Sequence, residues 1–146
     1  MEKKDIRWQQ RFKNFESAFN RFKEALAKED LSELERNGLV KRFEFTIEMG
    51  WKTMKDFLEE EGFTVNSPKG TFRQAFESGY LKDAQPLIDA LEVRNKLSHD
   101  YDGEYFEEAE PEIRDKIFPG LETLYKFFVN QGAKAQGKLF DGESPK

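Results

Sequence analysis

Hydrophobic residues recur at helical spacing along most of the chain. Between Ile6 and Lys28 they follow one another at alternating steps of four and three residues, at Trp8, Phe12, Phe15, Phe19, Phe22 and Leu26. This spacing is typical of a helix that packs at a shallow angle along a neighbouring helix. The segment therefore predicts a first amphipathic helix.

A second and longer helical pattern begins after Asp30 and Ser32, which both suit the N-cap position. Its apolar positions share one face, and further aromatic residues around the helix indicate burial on more than one side. Gly62 is a natural C-terminal stop, because glycine readily takes the left-handed conformation that ends helices. The apolar face consists of Val40, Phe43, Ile47, Trp51, Met54 and Leu58.

A short third helix is predicted from Ser67-Pro68, an N-cap followed by proline at the first helical position, to Gly79. Its inward residues should be Phe72, Ala75 and Phe76. A fourth helix follows, for which Asp83 offers a cap.

Asp102-Gly103 indicates a break after the fourth helix, and helical spacing then resumes as far as Phe128. Pro111 and Pro119 should start or kink segments there. With no strand pattern, the sequence predicts an all-α fold, an up-and-down bundle of four longer helices plus one short helix, over residues 1–131. Residues 132–146 lack a helical pattern and are expected to form a loosely held tail.

Composition excludes several kinds of site. The chain has no cysteine and one histidine, so we expect no disulfide, no zinc site and no other metal or cofactor. A net charge of -5 does not suggest a protein that coats nucleic acid, although it leaves room for a small basic site. No apolar run approaches membrane-spanning length, so a cytoplasmic location with no membrane partner is expected.

The segment from Arg94 to Tyr101 brings the single histidine near a cation and a phenol. On one straight helix, Arg94 and Tyr101 fall within the apolar arc, where a guanidinium needs a partner. Structural explanations are open for each residue. Arg94 could pair with a carboxylate of another helix, His99 could be a structural or capping residue, and Tyr101 could be a core or interface aromatic.

The same segment suits phosphodiester cleavage without a metal. An imidazole transfers protons at neutral pH, a guanidinium holds a phosphate, and RNA supplies its own 2′-hydroxyl nucleophile. On a straight helix, however, His99 lies roughly 140° around from Arg94, so the helix must end or bend between them. Asn95 and His99 do share a face. Alternatively, a two-fold dimer would bring two copies together, and the wide apolar surface of this helix is compatible with such an interface.

Arg94-x4-His99-x-Tyr101 resembles the R-x4-H-x-Y signature of HEPN-domain toxins encoded beside a minimal nucleotidyltransferase. The second helix, with Phe43-Glu44-Phe45-Thr46 and Trp51-Lys52, also resembles that family, as does the short helix after Ser67-Pro68. The resemblance covers about Ile6 to Phe128. It implies an HEPN-like bundle that forms a homodimer with both motifs in a cleft between the subunits.

The resemblance also implies roles for these residues. Arg94 and His99 would cleave RNA, Asn95 would support them, and Tyr101 would receive AMP from the partner nucleotidyltransferase, which would block the toxin. Related proteins are instead described as the substrate-binding subunit of a two-part nucleotidyltransferase, so a non-catalytic binding module is the second hypothesis. A plain dimerisation bundle, with no functional need for Arg94 or His99, is the third.

Overall fold

The computed structural model describes the backbone of residues 2–143 and the side chains of residues 7–134. Within this part of the chain helices are the only regular secondary structure, and turns and loops join them, which confirms the predicted all-α fold. The helices are α1 (Glu2–Leu26), α2 (Glu33–Glu60), α3 (Pro68–Glu77), α4 (Gln85–Leu97), α5 (Glu104–Glu112) and α6 (Phe118–Glu143), with a π-helical segment at Ile113–Ile117 between the last two. None of the described helices is long and apolar enough to cross a membrane.

The bounds of α2 follow from local chemistry. The Ser32 hydroxyl accepts a hydrogen bond from the Glu35 amide at 3.2 Å, and the Glu35 carboxylate accepts one from the Ser32 amide at 2.8 Å, which forms a capping box. The pKa of Glu35 is lowered to about 2, mainly by a hydrogen bond from Lys28 and next by the one from the Ser32 amide. At the other end, Gly62 has a φ of 99°, as predicted for the stop.

The helices close into a ring around one aromatic core. Helix α1 packs against α2 and α6, while α4 packs against α2, the π-helical segment and α6. Phe19 stacks on Tyr125 with ring centroids 4.8 Å apart and on Phe118 at 5.4 Å. The predicted apolar stripes of α1 and α2 supply much of this core, with Phe15, Phe22, Phe43 and Ile47 fully buried.

Helix α3 begins as predicted, because the Ser67 hydroxyl accepts a hydrogen bond from the Gly70 amide at 3.0 Å. Phe72 and Ala75 are fully buried, but the prediction that Phe76 points inward was wrong, since its side chain is 50% exposed. One residue further along a helix turns the side chain by roughly 100°. That rotation carries Phe76 away from the buried face.

Helix α4 differs from its prediction in two respects. Ala84, not Asp83, occupies the N-cap position, although the Asp83 carboxylate accepts a hydrogen bond from the Gln85 amide at 2.9 Å. The apolar surface of α4, which the sequence made compatible with a dimer interface, is not open to one. Its apolar side chains are buried inside the bundle of this chain and are therefore unavailable to a second subunit; they are Leu87, Ala90, Leu91, Val93 and Leu97.

The last helix runs further than the apolar pattern predicted, since α6 continues past Gln131 to Glu143. Residues 132–143 contain two alanines and two lysines, which favour helix, but also three glycines, which do not, so helix propensity alone does not explain this extension. How loosely residues 132–146 are held stays a prediction, and residues 144–146 lie outside the described part.

Upstream, Arg114 of the π-helical segment donates hydrogen bonds to the carbonyls of Leu26 and Lys28, at 2.7 and 3.0 Å.

Candidate functional site

Helix α4 ends at Leu97, between Arg94 and His99. The amide of His99 donates to the Lys96 carbonyl at 3.2 Å, and the amide of Asp100 donates to the Leu97 carbonyl at 3.1 Å, so the backbone turns tightly here. The straight helix assumed from the sequence is therefore wrong beyond Leu97. Tyr101 does not join the apolar face, since its side chain is 88% exposed.

Asp100 fixes this turn to the start of α5. Its two carboxylate oxygens accept hydrogen bonds from the amides of Tyr105 and Phe106, each at 3.1 Å. These are the second and third amides of α5, which have no partner within the helix. Gly103 precedes them with a φ of 75°, a conformation that favours glycine. Sequence analysis assigned Asp100 no role, although an aspartate shortly before a helix start is an available signal.

Arg94 is paired with a carboxylate of another helix. Its Nη1 donates to Oε1 of Glu48 on α2 at 3.1 Å, and its side chain is 23% exposed. The structural explanation left open for Arg94, an ion pair with a carboxylate of another helix, is therefore confirmed. A second guanidinium nitrogen, Nη2, lies 3.4 Å from the side-chain oxygen of Asn95, so the Arg94 side chain spans from α2 to the exposed edge of α4.

Glu48, like Asp100, is a residue of this site that sequence analysis missed. Besides Arg94, its carboxylate contacts Lys52 at 3.0 Å and accepts a weak hydrogen bond from the Trp51 indole at 3.4 Å. Partial burial opposes ionisation, but the hydrogen bonds and charges of its partners prevail and lower the pKa of Glu48. The four-residue spacing of Glu48 and Lys52 is visible in the sequence and predicts their contact, whereas the pairing of Glu48 with Arg94 could not be predicted from it.

His99 is exposed and lines an open cleft with Asn95, Lys96, Asp100 and Tyr105. The structure thus brings Asn95 and His99 together, as their spacing predicted, even though His99 lies beyond the helix. Arg94 joins this group through its contact with Asn95. The cleft therefore places an exposed imidazole beside an amide and one cationic side chain, Lys96, while Arg94 contacts the amide without lining the cleft.

Tyr101 lies in a different cleft, formed between α2 and the turn before α5. Arg36 and Asn37 line it from α2, and Phe106 and Glu107 line it from α5. Arg36 lies with its guanidinium carbon 5.7 Å from the centre of the Phe106 ring and a nitrogen 3.8 Å from Glu107. Tyr101 and His99 therefore line two different clefts, which adjoin at Asp100.

Within the part of the chain that the structure describes, no group of three or more histidine, cysteine, aspartate or glutamate side chains is arranged to hold a metal ion.

Comparison with known proteins identifies a family and a similar solved structure. Residues 10–130 match the family model described as nucleotidyltransferase substrate binding protein like. The crystal structure of a protein from Thermus thermophilus is similar at 32% sequence identity and a TM-score of 0.64, over 80% of this chain and 97% of that one. No curated protein sequence matches the chain.

Proposed function

Since the chain belongs to the nucleotidyltransferase substrate binding protein like family, we propose that it acts beside a nucleotidyltransferase in the cytoplasm as a metal-independent ribonuclease toxin. The partner silences it by transferring AMP to Tyr101. The observation that carries this proposal is the end of α4 at Leu97, which frees His99 from the helix while Arg94 and Asn95 stay on its last turn. This break is what a joint role of Arg94 and His99 required.

In the proposed reaction, His99 accepts the proton of an RNA 2′-hydroxyl. The 2′-oxygen attacks the adjacent phosphorus and the bond from phosphorus to the 5′-oxygen breaks, which leaves a 2′,3′-cyclic phosphate and a 5′-hydroxyl. A protonated imidazole, from the second copy in a two-fold dimer, supplies the proton of the leaving oxygen. Because RNA carries the nucleophile, no metal-bound water is needed.

Arg94 serves as the anion clamp of this reaction. A guanidinium has five N–H donors, and the contacts with Glu48 and Asn95 use only part of that capacity. The remaining donors stabilise the negative charge that develops on the phosphate oxygens. Glu48 and Asn95 keep the guanidinium in place.

The exposure of Tyr101 supports its proposed role as the AMP acceptor, because a partner enzyme must reach the hydroxyl. The phenol would give its proton to a base of the partner enzyme, and its oxygen would attack the α-phosphorus of ATP. The bond from that phosphorus to the oxygen of the β-phosphate would break, and pyrophosphate would leave. The product carries a bulky group and a negative phosphate next to the turn that bears His99. That charge would repel the phosphates of an approaching RNA.

The first experiment compares cells that express the wild type, Arg94→Ala or His99→Ala, with total RNA isolated from the same cultures. We expect only the wild type to arrest growth and to degrade RNA. Lys82→Ala is a matched control, because Lys82 is also exposed but precedes the opposite end of α4. Circular dichroism of the purified variants checks that each is folded. Folded variants that degrade RNA as fast as the wild type would disprove the catalytic roles.

The family match itself favours a second candidate, a non-catalytic substrate-binding subunit of a two-part nucleotidyltransferase. In that case wild type and both variants are harmless, RNA stays intact, and a nucleotidyltransferase co-purifies with the chain and gains activity from it. A plain dimerisation bundle would show neither effect.

A further inference from the structure

The cleft beside His99 is lined by one aromatic side chain, that of Tyr105. Tyr105 lines it from the first turn of α5, opposite Asn95 and Lys96 on the last turns of α4. The Tyr105 ring is partly buried against the core, and its backbone amide is held by Asp100 at 3.1 Å. A ring fixed in this way offers a rigid planar surface next to the exposed imidazole.

Lys96 covers this ring in the free protein. Its Nζ lies 5.6 Å from the centre of the Tyr105 ring, and the side chain is otherwise exposed to solvent. A lysine side chain has several rotatable bonds, so this cation can move aside without disturbing α4. The ring and the ammonium group are thus two adjacent binding elements, one flat and apolar and one cationic.

The charges around the ring restrict what it can bind. Burial, and then the carboxylates of Glu112, Glu108, Glu92 and Asp100, raise the pKa of Tyr105, so the phenol stays neutral. The same carboxylates repel a phosphate from the phenol end of the ring. The ring is therefore suited to a neutral planar group, and Lys96 is the cationic side chain that lines the same cleft.

A nucleotide within a single-stranded RNA has both a neutral planar base and an anionic phosphate. Unpaired bases stack on aromatic side chains, and lysine pairs with the backbone phosphate. We propose that Tyr105 and Lys96 form a binding subsite for one nucleotide of single-stranded RNA, adjacent to the 2′-hydroxyl that His99 deprotonates. The base stacks on the Tyr105 ring once Lys96 turns away to pair with its phosphate, and this subsite rests on the proposed ribonuclease function.

The test measures binding apart from cleavage. A short, fluorescently labelled 2′-O-methyl RNA lacks the nucleophile and cannot be cut, so fluorescence anisotropy reports its affinity for the intact protein. We expect Tyr105→Leu to weaken binding by about tenfold and Tyr105→Phe to change it by less than about twofold, as loss of one stacked base implies. Lys96→Gln should weaken binding and reduce its salt dependence, in contrast to Lys82→Gln.

A second probe avoids dependence on the folding of Tyr105→Leu. The same backbone without bases should bind the wild type about tenfold more weakly than the complete oligonucleotide. Equal binding of the two probes, or unchanged affinity of a folded Tyr105→Leu variant, would overturn the subsite.

Cleavage of unmodified RNA separates the subsite from the ribonuclease. Tyr105→Leu should raise KM and leave kcat nearly unchanged if both proposals hold. If RNA is cleaved with the same KM by wild type and Tyr105→Leu, the subsite fails and the ribonuclease stands. If Tyr105 controls binding but RNA is never cleaved, the subsite stands and the ribonuclease fails.

Discussion

Two anionic groups would compete to pair with Arg94. One is the carboxylate of Glu48, and the other, in the proposed reaction, is an RNA phosphate. The Arg94-Glu48 pair is only partly buried, with side-chain exposures of 23% and 36%, so its net contribution to stability is small. Its larger effect is to fix the direction of the guanidinium. A side chain that is already oriented loses less freedom when a phosphate arrives.

Glu48→Gln tests this pair through its pH dependence. Because the pKa of Glu48 is lowered from 4.5 in the folded protein, the carboxylate adds stability above that value and loses it as the pH falls through the folded-state pKa. We expect the variant to be less stable than wild type by at most about 1 kcal/mol near pH 7, after solvent screening, and this difference to shrink as the pH falls through the folded-state pKa of Glu48. The measurement is the urea midpoint at each pH.

Glu44→Gln provides the control, since Glu44 lies one turn earlier on the same helix and makes no salt bridge among the described side chains. A stability difference for Glu48→Gln that stays constant over the whole pH range would contradict this account of Glu48.

Tyr101→Phe tests the proposed modification at a single atom. The variant lacks the acceptor oxygen but keeps the ring, so it should remain toxic when the partner nucleotidyltransferase is co-expressed, and its mass should not increase by that of AMP. Tyr80→Phe is the comparison, because the Tyr80 hydroxyl is already hydrogen-bonded to Glu61 at 3.2 Å. Full neutralisation of Tyr101→Phe by the partner would eliminate Tyr101 as the required site.

The turn between α4 and α5 is the element that sets the position of His99. Asp100→Ala leaves the second and third amides of α5 without their acceptor. Loss of a comparable cap costs about 1 kcal/mol. We therefore expect a lower melting temperature together with slower RNA cleavage, because His99 precedes the loosened residue.

Asp102→Ala separates these effects from a general loss of charge in the turn, since Asp102 is exposed and caps no helix. We expect it to retain the stability and the cleavage rate of the wild type. Equal behaviour of the two variants would show that the Asp100 hydrogen bonds do not hold the site.

Sequence periodicity located the helices well because burial of one face repeats along each of them. It did not locate the end of α4, since Leu97 continues the apolar pattern and Ser98-His99-Asp100 contains neither glycine nor proline. The hydrogen bonds of Asp100 to the next helix accompany this break. The Arg94-Glu48 pair, between residues 46 apart in sequence, was beyond sequence reasoning for another reason. With 29 acidic residues in the chain, only the packing of α2 on α4 selects the partner.

At the scale of the whole molecule, burial of the α4 apolar face changes where a dimer can form. A dimer that joins two copies of the motif must use side chains that the bundle leaves exposed, close to Arg94. Phe45 meets this requirement, because it lies on α2 three residues before Glu48 and is 50% exposed. Residues three apart on a helix are neighbours on its surface, so Phe45 flanks the Arg94-Glu48 pair.

Phe76 on α3 is also 50% exposed, and it therefore provides a control of equal size and exposure at another position. Under the proposed dimer, Phe45→Asp should produce monomers in sedimentation velocity and abolish RNA cleavage, whereas Phe76→Asp should do neither. About half of each ring is buried, so both variants should lose a similar amount of thermal stability and remain comparable with each other. If the wild type is monomeric and cleaves RNA, or if Phe45→Asp is monomeric and still cleaves RNA, each copy must supply both the proton acceptor and the proton donor itself. The imidazole of a second copy would then have no part in the reaction.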